Sequence, residues 1–293
     1  MISLGMNHFI NAQGFGRIAM KNVIIGAIAN IILDPIFIFV FNMGVQGAAL
    51  ATIISQFLSS LWVVRFLVSK KAILKLKKSS FVLKKDRVRR IVSLGTSGFV
   101  MLFTNSMVQT LCNSTLQSFG GDLYVGIMTV INSIREILSL PVSGLSIGAQ
   151  PVIGFNYGAR EYKRVKSSIK FITIASVAFN TAMWLLLQSF PGHFIRIFNN
   201  DSDVLMAGIP AIRIFYSCFF IMALQYAGQT TFIALGKSKK AVFFSLFRKV
   251  ILVIPLVIIL PGFFGLGSYG VFLSEPISEF IGGAACFITM IIT

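Results

Sequence analysis

The chain has 293 residues, of which 56% are hydrophobic and 12% are charged, and its mean hydropathy is +0.85. Soluble domains carry about 25% charged residues, so this composition excludes an ordinary soluble enzyme and a disordered chain and indicates a membrane protein. The formal net charge of +17 would also suit a nucleic-acid-binding protein. The placement of the charges along the chain must decide between the two.

Eight stretches are long and apolar enough to cross a bilayer, whose core needs about 20 apolar residues in a helix. In chain order they are residues 23–41, 48–68, 93–119, 123–155, 169–190, 207–235, 242–264 and 269–292. Backbone polar groups cannot stay unpaired in lipid, so each stretch is predicted to be helical. The expected fold class is an all-α polytopic membrane protein with eight transmembrane helices.

The Lys and Arg residues are concentrated in alternate connections between these stretches. They occupy four segments, which are residues 17–21, 65–90, 160–170 and 237–249. The opposite connections hold Arg196 together with Asp122, Asp201 and Asp203. The positive-inside rule places the four basic segments in the cytoplasm. The pattern predicts a multi-pass protein of a bacterial cell membrane, with the lipid bilayer as a partner and no nucleic acid.

The longest basic connection, residues 70–92, also contains regularly interleaved apolar residues. One interpretation is an interfacial helix that lies on anionic headgroups. The other is a solvated linker between two halves of the protein. The two interpretations are compatible, and the sequence leaves both open.

An internal repeat relates the two ends of the chain. Residues 44–57 match residues 267–280 without gaps at an offset of 223, with six of fourteen positions identical. The first two stretches then correspond to the last two. We therefore expect residues 1–68 to be the end of one six-helix unit, residues 69–92 a basic linker, and residues 93–293 a complete six-helix unit. On this expectation the chain lacks four N-terminal helices, and the two units are related by a pseudo-two-fold axis along the membrane normal.

Two polar residues in the first stretch are a candidate cation site. Asn30 and Asp34 are four residues apart and share one face of a helix. Pro35 follows and should bend the helix or open its hydrogen-bond ladder. A carboxylate with an amide one turn away could bind a proton or a sodium ion. The alternative is that Asp34 lies at the outer interface and is hydrated there.

Glu275 and Glu279 form a second candidate site in the last stretch, where the repeat places Thr52 and Gln56 at the equivalent positions. Two carboxylates on one helix face repel each other when both are ionised, so one of them should take up a proton. The alternative is that the pair faces a wet cytoplasmic vestibule or forms ion pairs with Arg248 or Lys249.

Glu136 lies within the fourth stretch next to Arg135. It is either a cavity charge or the structural partner of a basic residue elsewhere. Amide side chains in neighbouring stretches could line the same cavity or join helices to each other, and they are Asn105, Gln109, Asn113, Gln225 and Gln229. The chain has no catalytic constellation, no Walker A sequence and no metal-ligating cluster. We therefore predict neither an enzyme nor a cofactor.

Several motifs taken together resemble the multidrug and toxic compound extrusion (MATE) family. They are residues 30–37 (NIILDPIF), 44–49 (GVQGAA), 150–159 (QPVIGFNYGA), 235–239 (LGKSK), 262–267 (GFFGLG) and 276–279 (PISE). The resemblance covers essentially the whole chain. It suits the bacterial branch that includes damage-inducible and staphylococcal-type exporters.

The resemblance implies a twelve-helix, two-lobed antiporter that is a monomer at full length. Such a protein exports cationic amphipathic compounds in exchange for H⁺ or Na⁺, and the present stretches would be its helices five to twelve. The family's coupling-cation network would correspond to Asn30, Asp34 and Thr52. Its essential carboxylate on the first helix has no match in this chain.

Two alternatives to drug export remain at this point. A related lipid or lipid-linked oligosaccharide flippase would have a more cationic cavity, which Arg135 and Arg213 would suit. The chain could also be an inactive membrane fragment.

Overall fold

The computed structural model describes residues 2–75, 84–263 and 265–293, and these residues form an all-helical protein. Six of the described helices are long and apolar enough to cross a membrane. A pair of shorter helices joined by a bend could form a seventh span. The all-helical membrane fold is therefore confirmed. The chain divides into two compact units, Met1–Val88 and Arg89–Thr293. The interfacial-helix prediction falls partly on residues 76–83, which lie outside the described residues.

The first unit contains three helices, which are α1 (Ile2–Ala12), α2 (Gly16–Pro35) and α3 (Gly44–Val68). Beyond Pro35, α2 continues as a π-helical segment, Ile36–Val40. Proline has no amide hydrogen to donate to the preceding turn, and the change from α to π hydrogen bonding begins at the next residue. The hydrogen-bond ladder therefore changes where the sequence predicted that it would.

A small apolar cluster holds the three helices of the first unit together. Ile10 of α1, Ala19 of α2 and Val63 of α3 are all buried in it. The side-chain oxygen of Gln13 accepts hydrogen bonds from the backbone amides of Ile73 and Leu74, both at 2.8 Å. These bonds attach the chain that leaves α3 to the end of α1.

Helix α4 is a 74-residue helix that runs over Lys85–Gly158 and is broken at Gly121, and all but its first four residues belong to the second unit. Its apolar part, Phe99–Gly158, has 60 residues. At 1.5 Å per residue, a straight helix of that length would be about 90 Å long, far more than a hydrocarbon core of about 30 Å. Gly121 has φ 66° and ψ −164°, angles that glycine adopts without steric cost. The break coincides with the gap predicted between residues 119 and 123, and it divides α4 into a first arm (85–120) and a second arm (122–158).

The remaining helices of the second unit follow in chain order. They are α5 (Tyr162–Ser189), α6 (Pro191–Arg196), α7 (Ser202–Phe215), α8 (Phe219–Ala234), α9 (Ser238–Leu246), α10 (Ile254–Phe263) and α11 (Ser268–Ile292). A π-helical segment, Phe247–Val253, joins α9 to α10. The stretch 207–235, predicted as one continuous span, is instead two helices, α7 and α8, which are bent by 47°.

The core of the second unit is built from both arms of α4 and from most of the helices that follow. Ile131, Ile212 and Phe272 are among its fully buried side chains. The hydroxyl of buried Tyr216 donates a hydrogen bond to the carbonyl of Ile131 at 2.7 Å. Helix α11 packs against α7, α8, α9 and α10. Polar residues on α11 therefore lie in the interior of the unit.

The two copies of the repeat have the same local geometry. Gly44 is the first residue of α3, and Gly267 immediately precedes α11. Their φ values are 51° and 53°. Three residues later, Gly47 and Gly270 each lie against the preceding helical segment. A Cβ added to Gly47 would be 2.7 Å from the carbonyl oxygen of Phe37, and a Cβ added to Gly270 would be 2.7 Å from the backbone nitrogen of Pro261. The repeated glycines are thus explained by a left-handed backbone at one position and a close backbone approach at the other.

Candidate functional site

The second unit contains a half-open cavity of about 610 Å³. Its walls come from both arms of α4, from α7, α8 and α9, from the π-helical segment and from α11. The side chains that line it include Asn105, Gln109, Arg135, Glu136, Phe215, Met222, Gln225, Tyr226, Gln229, Arg248, Lys249 and Glu275. Met101, Met128 and Asn132 add further apolar and amide surface.

The lining combines apolar, amide and charged groups on one surface. Thioether and aromatic side chains adapt to ligands of different shape, whereas amides offer both donors and acceptors. Such a surface suits amphipathic molecules rather than purely polar ones. Of the five amides that the sequence suggested for a shared cavity, four are part of this lining, and Asn113 is not.

Five charged side chains form an ion network, and four of them, Arg135, Arg248, Lys249 and Glu275, line the cavity. The Oε1 atom of Glu275 lies 2.7 Å from Arg135 Nη1, 3.1 Å from Arg248 Nη1 and 3.0 Å from Lys249 Nζ. Glu279 Oε1 lies 3.4 Å from Arg248 Nη1 and 3.7 Å from Arg135 Nη2. Glu275 and Glu279 are 5% and 2% exposed. Buried charges are stable only when opposite charges lie close to them, and here three cations surround two carboxylates.

The helix geometry explains how two adjacent cations reach one carboxylate. Arg248 and Lys249 both lie in the π-helical segment Phe247–Val253. A π-helix has i→i+5 hydrogen bonds and more residues per turn than an α-helix, so successive side chains diverge by a smaller angle. On the facing helix α11, residue 282 is glycine, and a Cβ there would be 2.9 Å from Cγ of Arg248. The missing side chain leaves room for the arginine stem.

This network corrects one expectation from the sequence and bears on a second. Arg248 and Lys249 were assigned to a cytoplasmic basic connection, but they lie inside the candidate span Ser238–Phe263, and Arg248 is buried. The pairing with Arg248 and Lys249, which the sequence leaves open beside a proton on one carboxylate, is present in the structure, and Arg135 is a third partner.

Glu136 and Gln225 lie in the same cavity lining but outside the network. Glu136 is exposed to the cavity and forms no ion pair with any described residue. Gln225 is 6% exposed, and its side-chain oxygen has no hydrogen-bond partner among the described residues. Both side chains therefore have unused hydrogen-bonding capacity at the cavity wall.

In the first unit the three predicted coupling residues are only partly together. Asn30 Nδ2 donates to Asp34 Oδ1 at 3.2 Å, and both residues are half-buried. Thr52 is exposed, and its hydroxyl donates to the carbonyl of Ala48 in its own helix at 2.9 Å. Within the described part of the first unit, no hydrogen bond joins Thr52 to Asn30 or Asp34.

Sequence reasoning did not bring the basic members of the site together. It offers Arg248 and Lys249 as possible partners of Glu275 and Glu279, and Arg135 as a cationic residue of a cavity, but it also counts Arg248 and Lys249 with the basic connection 237–249. The available signal is that all three charges lie inside predicted membrane spans, where a charge usually has a function or a partner.

Comparison with known proteins identifies the family. The model of the MatE family matches residues 98–259. Multidrug export protein MepA of Staphylococcus saprophyticus is 24% identical over 262 residues, which are 89% of this chain and 57% of that protein. A solved outward-facing multidrug resistance MATE family transporter of the MOP superfamily gives a TM-score of 0.90 at 21% identity, over 98% of this chain and 64% of that chain.

A second solved structure differs from the first in the polarity of its binding pocket. It is a MOP superfamily transporter from Pyrococcus furiosus whose binding pocket is described as having reverse polarity that suggests a different function. Its TM-score is 0.88 at 21% identity, over 95% of this chain and 63% of that chain. The present chain thus spans about three fifths of the length of these relatives. Since the family match covers more than half of its residues, the chain belongs to the MatE family of membrane transporters.

Proposed function

We propose that this chain exports cationic amphipathic small molecules across the cell membrane in exchange for H⁺ or Na⁺. The observation that carries the proposal is the cavity of about 610 Å³ in the matched region, which combines methionine, aromatic and amide side chains with the exposed carboxylate of Glu136. Glu275 and Glu279 are held by the ion network, so Glu136 is the cavity carboxylate that is available to a cationic substrate.

The proposed architecture is one of eight spans in a two-lobed, twelve-helix transporter. The two arms of α4 are taken as two spans and the bent pair α7–α8 as one, in addition to the other five apolar helices. Residues 1–68 would belong to one lobe and residues 93–293 to the other, with the basic connections in the cytoplasm. Alternating access would arise from rocking of the lobes.

Coupling is proposed at Asn30 and Asp34. Their hydrogen bond at 3.2 Å gives one carboxylate oxygen a neutral partner and leaves the second oxygen available to a proton or a sodium ion. Entry of the coupling cation would neutralise this charge and favour the conformation that releases substrate outside. No further cofactor is proposed.

Efflux of a fluorescent cationic dye from drug-sensitive bacteria that express the chain tests the proposal. We expect Glu136→Gln to lower the initial efflux rate by about tenfold, which is the effect of losing about 1.4 kcal/mol of substrate interaction. Glu161→Gln is the matched control, because Glu161 is exposed and lies outside the cavity lining. Equal efflux by Glu136→Gln and the control would contradict the role of the cavity.

Imposed ion gradients test the coupling. In inverted vesicles, a pH gradient and a sodium gradient are applied separately, and dye uptake is followed for the wild-type chain and for Asp34→Asn. We expect one gradient to drive uptake and Asp34→Asn to abolish the response. Gradient-driven uptake that persists in Asp34→Asn would remove Asp34 from the coupling mechanism.

A lipid or lipid-linked oligosaccharide flippase is the second candidate, and one observation favours it. The cavity lining includes three cations, Arg135, Arg248 and Lys249, which could receive an anionic headgroup. In proteoliposomes, faster movement of a fluorescent anionic lipid between leaflets, without dye transport, would favour the flippase.

A further inference from the structure

We propose that the ion network of the second unit is an anion-binding site that takes one singly charged group at Arg135, Arg248 and Lys249. This inference deepens the proposed function, because it concerns the same cavity. It assigns to the cavity a positive end that is distinct from the carboxylate of Glu136.

The charge balance of the network is the first argument. Three cations lie within 4 Å of two carboxylates, so one positive charge remains even when both carboxylates are ionised. Taking up a proton at Glu275 or Glu279 would increase that excess. An uncompensated charge in a low-dielectric interior is costly, and one bound anion would neutralise it.

Glu136 does not supply the missing negative charge. It follows Arg135 in the second arm of α4, and neighbouring residues of a helix point about 100° apart. It lies within ion-pair distance of none of the three cations. The cavity therefore keeps separate positive and negative regions.

An unused donor in the same network is the second argument. Arg248 is 6% exposed, and its Nε atom has no hydrogen-bond partner among the described residues. Arg248 also lines the cavity. Buried polar groups normally have partners. An anion with several acceptor lone pairs would satisfy this donor.

The ligand could come from water or from lipid. A chloride or carboxylate ion could enter from the aqueous side, and a lipid phosphate could enter from the bilayer. Both offer a single negative charge and hydrogen-bond acceptors, which is the chemistry that clustered Arg and Lys side chains recognise.

Binding of radiolabelled chloride to the purified full chain in an uncharged detergent tests the inference. We expect saturable binding that unlabelled formate displaces. Lys249→Gln should weaken the affinity by about tenfold or more, since one charge-assisted contact is lost. Lys249→Arg should retain it, and Lys170→Gln, which alters an exposed lysine outside the cavity, should have no effect.

A second variant guards against misfolding. Gln225→Leu removes an uncharged amide from the same cavity lining and should weaken chloride binding less than Lys249→Gln does. Nanodiscs then distinguish the sources, because chloride binding that falls in phosphatidylglycerol discs but not in zwitterionic phosphatidylcholine discs identifies the phosphate of an anionic lipid headgroup as the occupant. Binding retained in both discs identifies a free anion.

Absent or unsaturable chloride binding, or equal affinities for wild type, Lys249→Gln and Gln225→Leu, would overturn the anion site. Cationic dye efflux is measured on the same proteins. Efflux without chloride binding contradicts this inference alone, whereas chloride binding without efflux contradicts the proposed function alone.

Discussion

The two copies of the repeat, the α2–α3 hairpin and the α10–α11 hairpin, share a backbone and differ in chemistry. Each has a positive-φ glycine at the entrance to its second helix, followed by a glycine in close contact with the first. Thr52 and Gln56 are exposed on α3, whereas the equivalent Glu275 and Glu279 are buried on α11. The same hairpin can therefore hold either weakly polar or ionised groups.

The difference between the copies lies in the surroundings of α11. Arg135 on α4 and Arg248 and Lys249 on the π-helical segment supply opposite charge, and Gly282 leaves space for one of them. A carboxylate can be buried at position 275 because those three partners reach it. The two copies of the repeat therefore share their backbone geometry, and the neighbouring helices determine whether a charged side chain can be buried there.

The largest expected effect comes from removing the shared carboxylate. Glu275→Gln leaves buried Arg248 and the half-buried Arg135 and Lys249 with one carboxylate between them, and breaking a buried ion pair costs about 3–5 kcal/mol. We expect a clear loss of folded protein and a lower melting temperature in detergent, measured by scanning fluorimetry. An unchanged melting temperature would show that Glu275 does not compensate those charges.

Adding a methyl group at the close approach should have the next largest effect, and it should be similar in both copies. Gly47→Ala and Gly270→Ala place a Cβ 2.7 Å from backbone atoms of the preceding segment. Overpacking of this kind costs about 1–3 kcal/mol. Gly148→Ala is the control, because nothing lies within 4 Å of its added Cβ. If only one copy responds in the fluorimetric melt, the shared geometry is not equally important in both.

Substitution of the positive-φ glycines should have a smaller effect of the same sign. Gly44→Ala and Gly267→Ala force an L-residue into the left-handed region, at a cost of about 1–2 kcal/mol, although nothing lies within 4 Å of the added Cβ. The melting temperatures of the two variants should fall by similar amounts. A stabilised variant would indicate that the glycine at that position is not required for its φ angle.

The smallest effect is expected at the position equivalent to Glu275. Thr52→Val removes an exposed hydroxyl whose one hydrogen bond among the described residues is to its own helix, and such substitutions usually change stability by less than about 0.5 kcal/mol. The melting temperature should match that of the wild type. A loss as large as that of Glu275→Gln would mean that Thr52 has a partner comparable to the cations of the second unit.

Much of the fold could be predicted because it depends on local properties of the chain. The apolar stretches, the break between residues 119 and 123 and the change of helix type after Pro35 follow from composition, glycine and proline. The bend between α7 and α8 was missed, since the apolar run 207–235 continues through it without a glycine or proline at residues 216–218.

The candidate site was less predictable because its members are far apart in the sequence. The pairing of Asn30 with Asp34 follows from their spacing on one helix. The pairing of Arg135 with Glu275 does not, since it joins helices that are distant along the chain. Lys249 was grouped with a basic connection because charge alone does not reveal whether a residue near the end of a span faces water or the interior.

The sequence by itself determined that this protein is a helical membrane protein with a repeated hairpin, because hydropathy and glycine spacing act over short distances. Only the tertiary structure decided what the buried charges do. Whether a carboxylate repels its neighbour, takes up a proton or is shared by three cations depends on distances between different helices. Those distances are set by packing, and here packing places Glu275 among Arg135, Arg248 and Lys249.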